Sequence, residues 1–82
     1  DMAVLGKVES AYLHYAGLIR KEYEFVDRDV YCEKRADILE KFLEEPSIFA
    51  SAIFQNAMEQ QARKNLHKEI DLLRSGIIPG GL

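Results

Sequence analysis

The chain has 82 residues with 11 Lys and Arg against 14 Asp and Glu, so its formal net charge is −3, and it has 1 cysteine. This length allows at most one small domain, and a lone cysteine allows no internal disulfide. The acidic balance argues against nucleic acid or an anionic membrane as a partner, because both require concentrated Lys and Arg. No apolar run approaches the roughly 18–20 residues of a membrane span. Since a free thiol suits a reducing compartment, we expect a cytoplasmic protein.

Residues 1–6 predict the tail of a helix or one short turn that is closed by Gly6. A first long helix is predicted over residues 8–26, because apolar side chains recur there at spacings of three and four. The members of this stripe are Tyr12, Tyr15, Ala16, Ile19, Tyr23 and Val26. A buried tyrosine needs a partner for its hydroxyl, so these rings predict the edge of a core. The alternative is a rim that meets more protein.

A second helix is predicted over residues 27–45, with Asp27 as its N-cap and Pro46 ending it. Its buried side is predicted to consist of Val30, Tyr31, Ile38, Leu39, Phe42 and Leu43. The charged residues between these positions predict a solvated face.

A third helix is predicted over residues 52–75, with Ser51 as a candidate N-cap. Its apolar stripe is Phe54, Met58, Ala62, Leu66, Ile70 and Leu73. We expect Gly76 at the C′ position, with Ile77 folding back on Leu72 in a Schellman motif. Residues 77–82 are predicted to be a flexible tail. The sequence therefore predicts an all-α fold of about three helices in a single segment.

The residue pattern by itself predicts no catalytic site. His14 and His67 share no metal-binding motif, and each is best interpreted as a helix residue at or near the surface. Cys32 is best interpreted as a small apolar residue of the second helix. Asn65 is a weak helix former in mid-helix, so we expect its side chain to bond a neighbouring loop.

Three blocks in chain order carry a resemblance to a known family. They read Ile19-Arg20-x-Glu22-Tyr23-x-x-Val26, Arg35-Ala36-x-Ile38-Leu39-x-x-Phe42-Leu43-x-x-Pro46-x-Ile48-Phe49 and Ala62-Arg63-x-Asn65-Leu66-x-x-Glu69-Ile70. In this order and at these separations they resemble the C-terminal part of the predicted metal-dependent phosphohydrolases of the HD superfamily. The resemblance extends roughly from Asp1 to Arg74.

The resemblance implies an all-α fold with a divalent metal ion held by an early histidine, a His-Asp pair and a later aspartate. Such an ion polarises phosphate and generates hydroxide from bound water. The opening Asp1-Met-Ala-Val-Leu-Gly6 is similar to the context of the later aspartate, so the resemblance implies that Asp1 is a metal ligand. Because catalytic sites normally need three or more protein ligands, we expect this chain alone to be inactive and to bind no metal ion. The alternative for Asp1 is a helix N-cap or a frayed terminus.

Arg20 lies in the most recognisable block and is a candidate for contacting a substrate phosphate, which a guanidinium suits. The alternative is a salt bridge across helices, with Glu22 or Glu69 as the partner.

We therefore expect an incomplete domain, the C-terminal helical segment of an HD-type phosphohydrolase acting on a phosphate ester or nucleotide. Since the chain opens on Asp1 rather than methionine, we expect further helices upstream. The alternative is a free-standing, non-catalytic three-helix module that binds a partner protein through its tyrosine-lined face. Apolar residues off the main stripes predict contact with either the missing N-terminal helices or a second copy of the chain. These residues are Leu13, Leu18, Ile53 and Leu72.

Overall fold

The computed structural model describes the backbone of residues 2–49 and 52–80 and the side chains of residues 3–49 and 58–80. Its elements are a 3₁₀ helix, Met2–Gly6, followed by helices α1, Glu9–Glu22, α2, Arg28–Glu44, and α3, Ala52–Arg74. The predicted all-α fold with three helices is confirmed. No helix within the described ranges combines the length and the apolar character that crossing a membrane requires.

Helix α3 is the centre of the fold, and α1, α2 and the 3₁₀ helix all pack on it. Its predicted stripe supplies the core, since Ala62, Leu66, Ile70 and Leu73 are buried at intervals of three and four residues. Within the described residues, α1 and α2 do not approach each other closely along their backbones. That separation leaves a groove between them.

The ends of two helices follow the local chemistry of the sequence. The N–H of Ile77 donates to the carbonyl oxygen of Leu72 at 2.8 Å. Gly76 has φ of 80°. Together these features confirm the Schellman motif at the end of α3. Glu45, which precedes Pro46, is extended with ψ of 143°, so α2 ends where proline predicts.

The first helix is shorter than predicted, since it ends at Glu22 rather than at residue 26. The chain then turns, and Arg20 Nη1 donates hydrogen bonds to the carbonyl oxygens of Tyr23 at 3.2 Å and Val26 at 3.0 Å. Aromatic and β-branched residues are weak helix formers, so little is lost when these residues leave the helix.

The connector from α2 to α3 is held by two side chains of α3. The carboxylate of Glu59 accepts backbone N–H bonds from Ile48 at 3.1 Å and Phe49 at 3.4 Å. Arg63 pairs with Glu59 at 2.8 Å and donates to the carbonyl oxygen of Glu45 at 2.9 Å. The candidate N-cap Ser51 lies outside the described residues.

The segment after α3 is packed where the structure describes it. Ile78 is only 3 % exposed and Pro79 is buried, although this segment was predicted to be a flexible tail over residues 77–82. Gly80 lies directly against α1, because a Cβ on it would be 2.8 Å from the Cα of Gly17. The apolar pair Ile78 and Pro79 explains the packing, since burying both removes their surface from water.

Three residues that were predicted to be buried are exposed: Tyr23, Val30 and Ile38. Tyr23 lies in the turn after α1, whereas Val30 and Ile38 belong to α2. The prediction failed for them because an apolar stripe is buried only where another element covers it, and no described element covers these side chains fully.

Candidate functional site

A buried polar network joins the three helices. Glu69 of α3 is 0 % exposed, although it is an ionisable residue. Its Oε1 accepts a hydrogen bond from the Tyr12 hydroxyl of α1 at 2.5 Å. Its Oε2 accepts one from Arg35 Nε of α2 at 3.0 Å, and Arg35 Nη2 reaches Oε1 at 3.3 Å. Buried carboxylates are tolerated when they are paired and hydrogen-bonded in this way.

The electrostatics of this network favour a neutral phenol beside a charged guanidinium. Burial raises the pKa of Tyr12 far above its ordinary value, and the neighbouring Glu69 adds to that rise. Burial alone would lower the pKa of Arg35, but its hydrogen bond and charge interaction with Glu69 outweigh burial and raise it. Tyr12 therefore remains a hydrogen-bond donor across the physiological pH range. Because its ring is fully covered, it holds helices together rather than contacting a substrate.

Asn65 anchors the end of the 3₁₀ helix and the residue that follows it. Its Nδ2 donates to the carbonyl oxygens of Leu5 at 2.8 Å and Lys7 at 2.7 Å, and its Oδ1 accepts from Gln61 at 2.8 Å. This confirms the prediction that its side chain bonds a neighbouring loop. The amide supplies donors to carbonyls that would otherwise be left without partners in a mostly buried position.

The candidate metal ligand Asp1 lies outside the described residues. Among the residues whose side chains are described, no group of three or more histidine, cysteine, aspartate or glutamate side chains is arranged to hold a metal ion. These residues therefore do not fit a complete metal centre. His14 and His67 are exposed on different helices, and Cys32 is buried, as their interpretations from sequence required.

Arg20, the candidate substrate-binding residue, is occupied by the chain itself. Besides its two bonds to backbone carbonyls, its guanidinium carbon lies 4.7 Å from the ring centroid of Tyr31. Glu69, one of the two alternative salt-bridge partners for Arg20, pairs with Arg35 instead. A contact between Arg20 and a substrate phosphate stays a prediction.

An apolar groove of about 360 Å³ lies between the C-terminal end of α1 and α2. Its lining residues are Ile19, Tyr23, Val26, Tyr31, Lys34, Arg35 and Ile38. Tyr31 is 6 % exposed, and its buried hydroxyl has no hydrogen-bond partner within the described residues. Burial raises the pKa of this phenol. The groove thus offers an apolar wall and two cations, whereas the Tyr31 hydroxyl is buried and not exposed to it.

No direct signal in the sequence predicts this groove. Its residues come from two helices and the intervening turn, and all five apolar or aromatic ones belong to stripes that were predicted to face the core. The surplus of apolar residues predicted an uncovered surface but did not locate it, since Leu13, Leu18 and Leu72 are not among the lining residues.

Comparison with known proteins finds no matching family model, no similar curated protein and no similar solved structure.

Proposed function

We propose that this chain is the C-terminal helical segment of an HD-type metal-dependent phosphohydrolase, which acts on a phosphate ester or nucleotide. In that enzyme the segment is a scaffold: it supplies the last metal ligand, Asp1, and a rigid base for the helices that carry the others. The ion supplies Lewis-acid activation of phosphate when the complete ligand set binds it.

The observation that carries the proposal is the use of the polar residues in the three resembling blocks. Where such a residue has a described side-chain bond, that bond closes a turn or joins two elements of the fold. Arg20 closes the turn after α1, and Arg35 of the second block pairs with Glu69 of the third. Arg63 holds the end of α2, and Asn65 holds the segment after the 3₁₀ helix. These bonds give the polar residues of the three blocks the structural role that the proposal assigns to the segment, because each lost partner would leave a polar group unsatisfied.

The 3₁₀ helix packs on α3. Asn65 bonds the carbonyl oxygens of Leu5, within that helix, and of Lys7, just after it. In the proposal, this anchored segment is part of the rigid base that the chain contributes to the enzyme.

The test uses the longer protein in which this chain is preceded by its upstream sequence. With Mn²⁺ or Co²⁺ and a generic phosphoester, we expect turnover that Asp1→Asn abolishes, together with a loss of bound metal. Asp71→Asn is the matched control, since Asp71 is an exposed carboxylate of α3 and should leave both measurements unchanged. We expect the 82-residue chain alone to show neither turnover nor tight Mn²⁺ binding by calorimetry.

Two results would overturn this proposal. One is an upstream sequence that lacks a histidine and a His-Asp pair. The other is full activity of the Asp1→Asn protein. Either result would favour the non-catalytic interaction module.

The interaction module has one observation in its favour, the exposed apolar surface around the groove. The tyrosine-lined face of the first helix that was expected to serve it is not available as a whole, because Tyr12 is buried and Tyr15 is half-buried. Tyr23 remains exposed and lines the groove. Any module function would therefore use the groove rather than one face of α1.

A further inference from the structure

The groove between α1 and α2 has an exposed aromatic side chain beside it. Phe25 is 80 % exposed, the highest value among the exposed large apolar side chains with described burial. Its ring centroid lies 6.2 Å from that of Tyr23, which lines the groove. A projecting aromatic ring next to an apolar groove gives one patch both a knob and a hole.

We infer that this patch binds a second copy of the chain, with Phe25 of each copy seated in the groove of the other. A two-fold symmetric interface brings the same surface of both partners together, so knob and hole must lie on one patch. Here they do, because Tyr23 contacts both. Buried aromatic anchors in apolar pockets are the usual centres of binding energy in such interfaces.

The charges around the patch are also complementary between two copies of the chain. Two cations, Lys34 and Arg35, line the groove, and no carboxylate does so within the described residues. Arg35 already pairs with Glu69, whereas Lys34 is exposed and has no described ion pair. Glu24 is exposed immediately before Phe25. When Phe25 enters the partner's groove, Glu24 is carried toward Lys34 of that partner.

Covering the groove also buries apolar surface. Tyr23 and Ile38 line the groove and are exposed. A second copy seated on the groove removes both side chains from water, which favours association in proportion to their apolar area.

Sedimentation equilibrium over a range of micromolar concentrations tests the inference. We expect the wild-type protein to be a dimer in reversible equilibrium with its monomer. Phe25→Ala should weaken dimerisation at least about tenfold, since it removes an interface anchor. Val8→Ala is the matched control, because Val8 is 68 % exposed but lies outside the groove, and it should leave dimerisation unchanged.

Charge reversal provides a second, more specific measurement. Glu24→Lys and Lys34→Glu should each weaken the dimer, and the double variant should recover most of the lost affinity, because it restores the opposite charges. Circular dichroism on each variant checks that the helices are intact. A monomer at every concentration would overturn the inference, as would a dimer that is insensitive to Phe25→Ala and to charge reversal. Either result would leave the metal-dependent activity proposed above unaffected.

Discussion

Replacing Glu69 with glutamine tests whether the buried network stabilises the fold through its charge. Gln keeps the shape of the side chain, but it removes the negative charge and places an amide NH₂ among the donors from Tyr12 and Arg35. The Arg35 guanidinium then loses its ionic partner while its side chain stays only 15 % exposed. Tyr12 and Arg35 must then share one amide oxygen, whereas the carboxylate offers them two oxygens.

The expected loss follows from the geometry. Removing one partner of a buried ion pair costs roughly 3–5 kcal/mol, because the other charge is left uncompensated. Arg35 keeps some contact with water, so we expect the lower end, about 3 kcal/mol. That loss is a large share of the roughly 5–15 kcal/mol that stabilises an entire domain.

Chemical denaturation at neutral pH measures the effect, with the free energy of unfolding taken from the midpoint and slope. The control is Asp71→Asn, which makes the same chemical change at an exposed position two residues further along α3 and should stay within about 0.5 kcal/mol of wild type. Arg35→Met should also destabilise the chain, and the double variant should lose less than the sum, because both changes remove the same pair. A loss below about 1 kcal/mol for Glu69→Gln would refute the reasoning, since an ordinary neutral hydrogen bond contributes that much.

Four further results are expected. Burial raises the pKa of Tyr12, so its neutral form stabilises the fold at every pH below the ordinary value. The free energy of unfolding should therefore fall as the pH rises above about 10. In alkaline denaturation, that free energy should fall less steeply with pH in Tyr12→Phe. Burial opposes ionisation of Glu59, but its hydrogen bonds from the backbone and from Arg63 outweigh this and lower its pKa. The charged carboxylate should therefore stabilise the fold above pH about 4.3, and this contribution should be lost as the pH falls below that value. In urea denaturation, Glu59→Gln should be less stable than wild type at neutral pH, and the difference should vanish at low pH. Asn65→Ala should cost about 2 kcal/mol of unfolding free energy, since two carbonyls lose their donor, and limited proteolysis should cut sooner near the 3₁₀ helix. Gly80→Ala should lower the melting temperature more than Gly76→Ala; both glycines have positive φ, but only the Cβ at position 80 would collide with backbone.

Several features of this fold could be predicted from sequence because they depend on neighbours in the chain. The end of α3 needs a residue that tolerates positive φ, and Gly76 supplies it. The end of α2 depends on the restriction that Pro46 imposes on Glu45. Asn65 was predicted to bond outside its helix because its side chain competes with helical hydrogen bonding, although its partners could not be named.

The buried network shows where sequence reasoning stops. Glu40 of α2 and Glu69 of α3 are both helical glutamates, yet the first is exposed and the second is completely buried. Their difference arises from what faces them: Glu69 lies between Tyr12 and Arg35, which are 57 and 34 residues away in the chain. The role of Arg20 was uncertain for the same reason, since its partners depend on where α1 ends.

By itself, the sequence determined the helical class, the three helices and the core stripe of α3, because these depend on periodicity and on local end signals. Only the tertiary structure decided which apolar residues are covered. Ile78 was expected in a flexible tail but is buried, whereas Ile38 was expected in the core but faces the groove. A helical stripe records which side of a helix is apolar, but burial requires a second surface, and in this fold α3 supplies that surface to α1 and α2 without bringing them together.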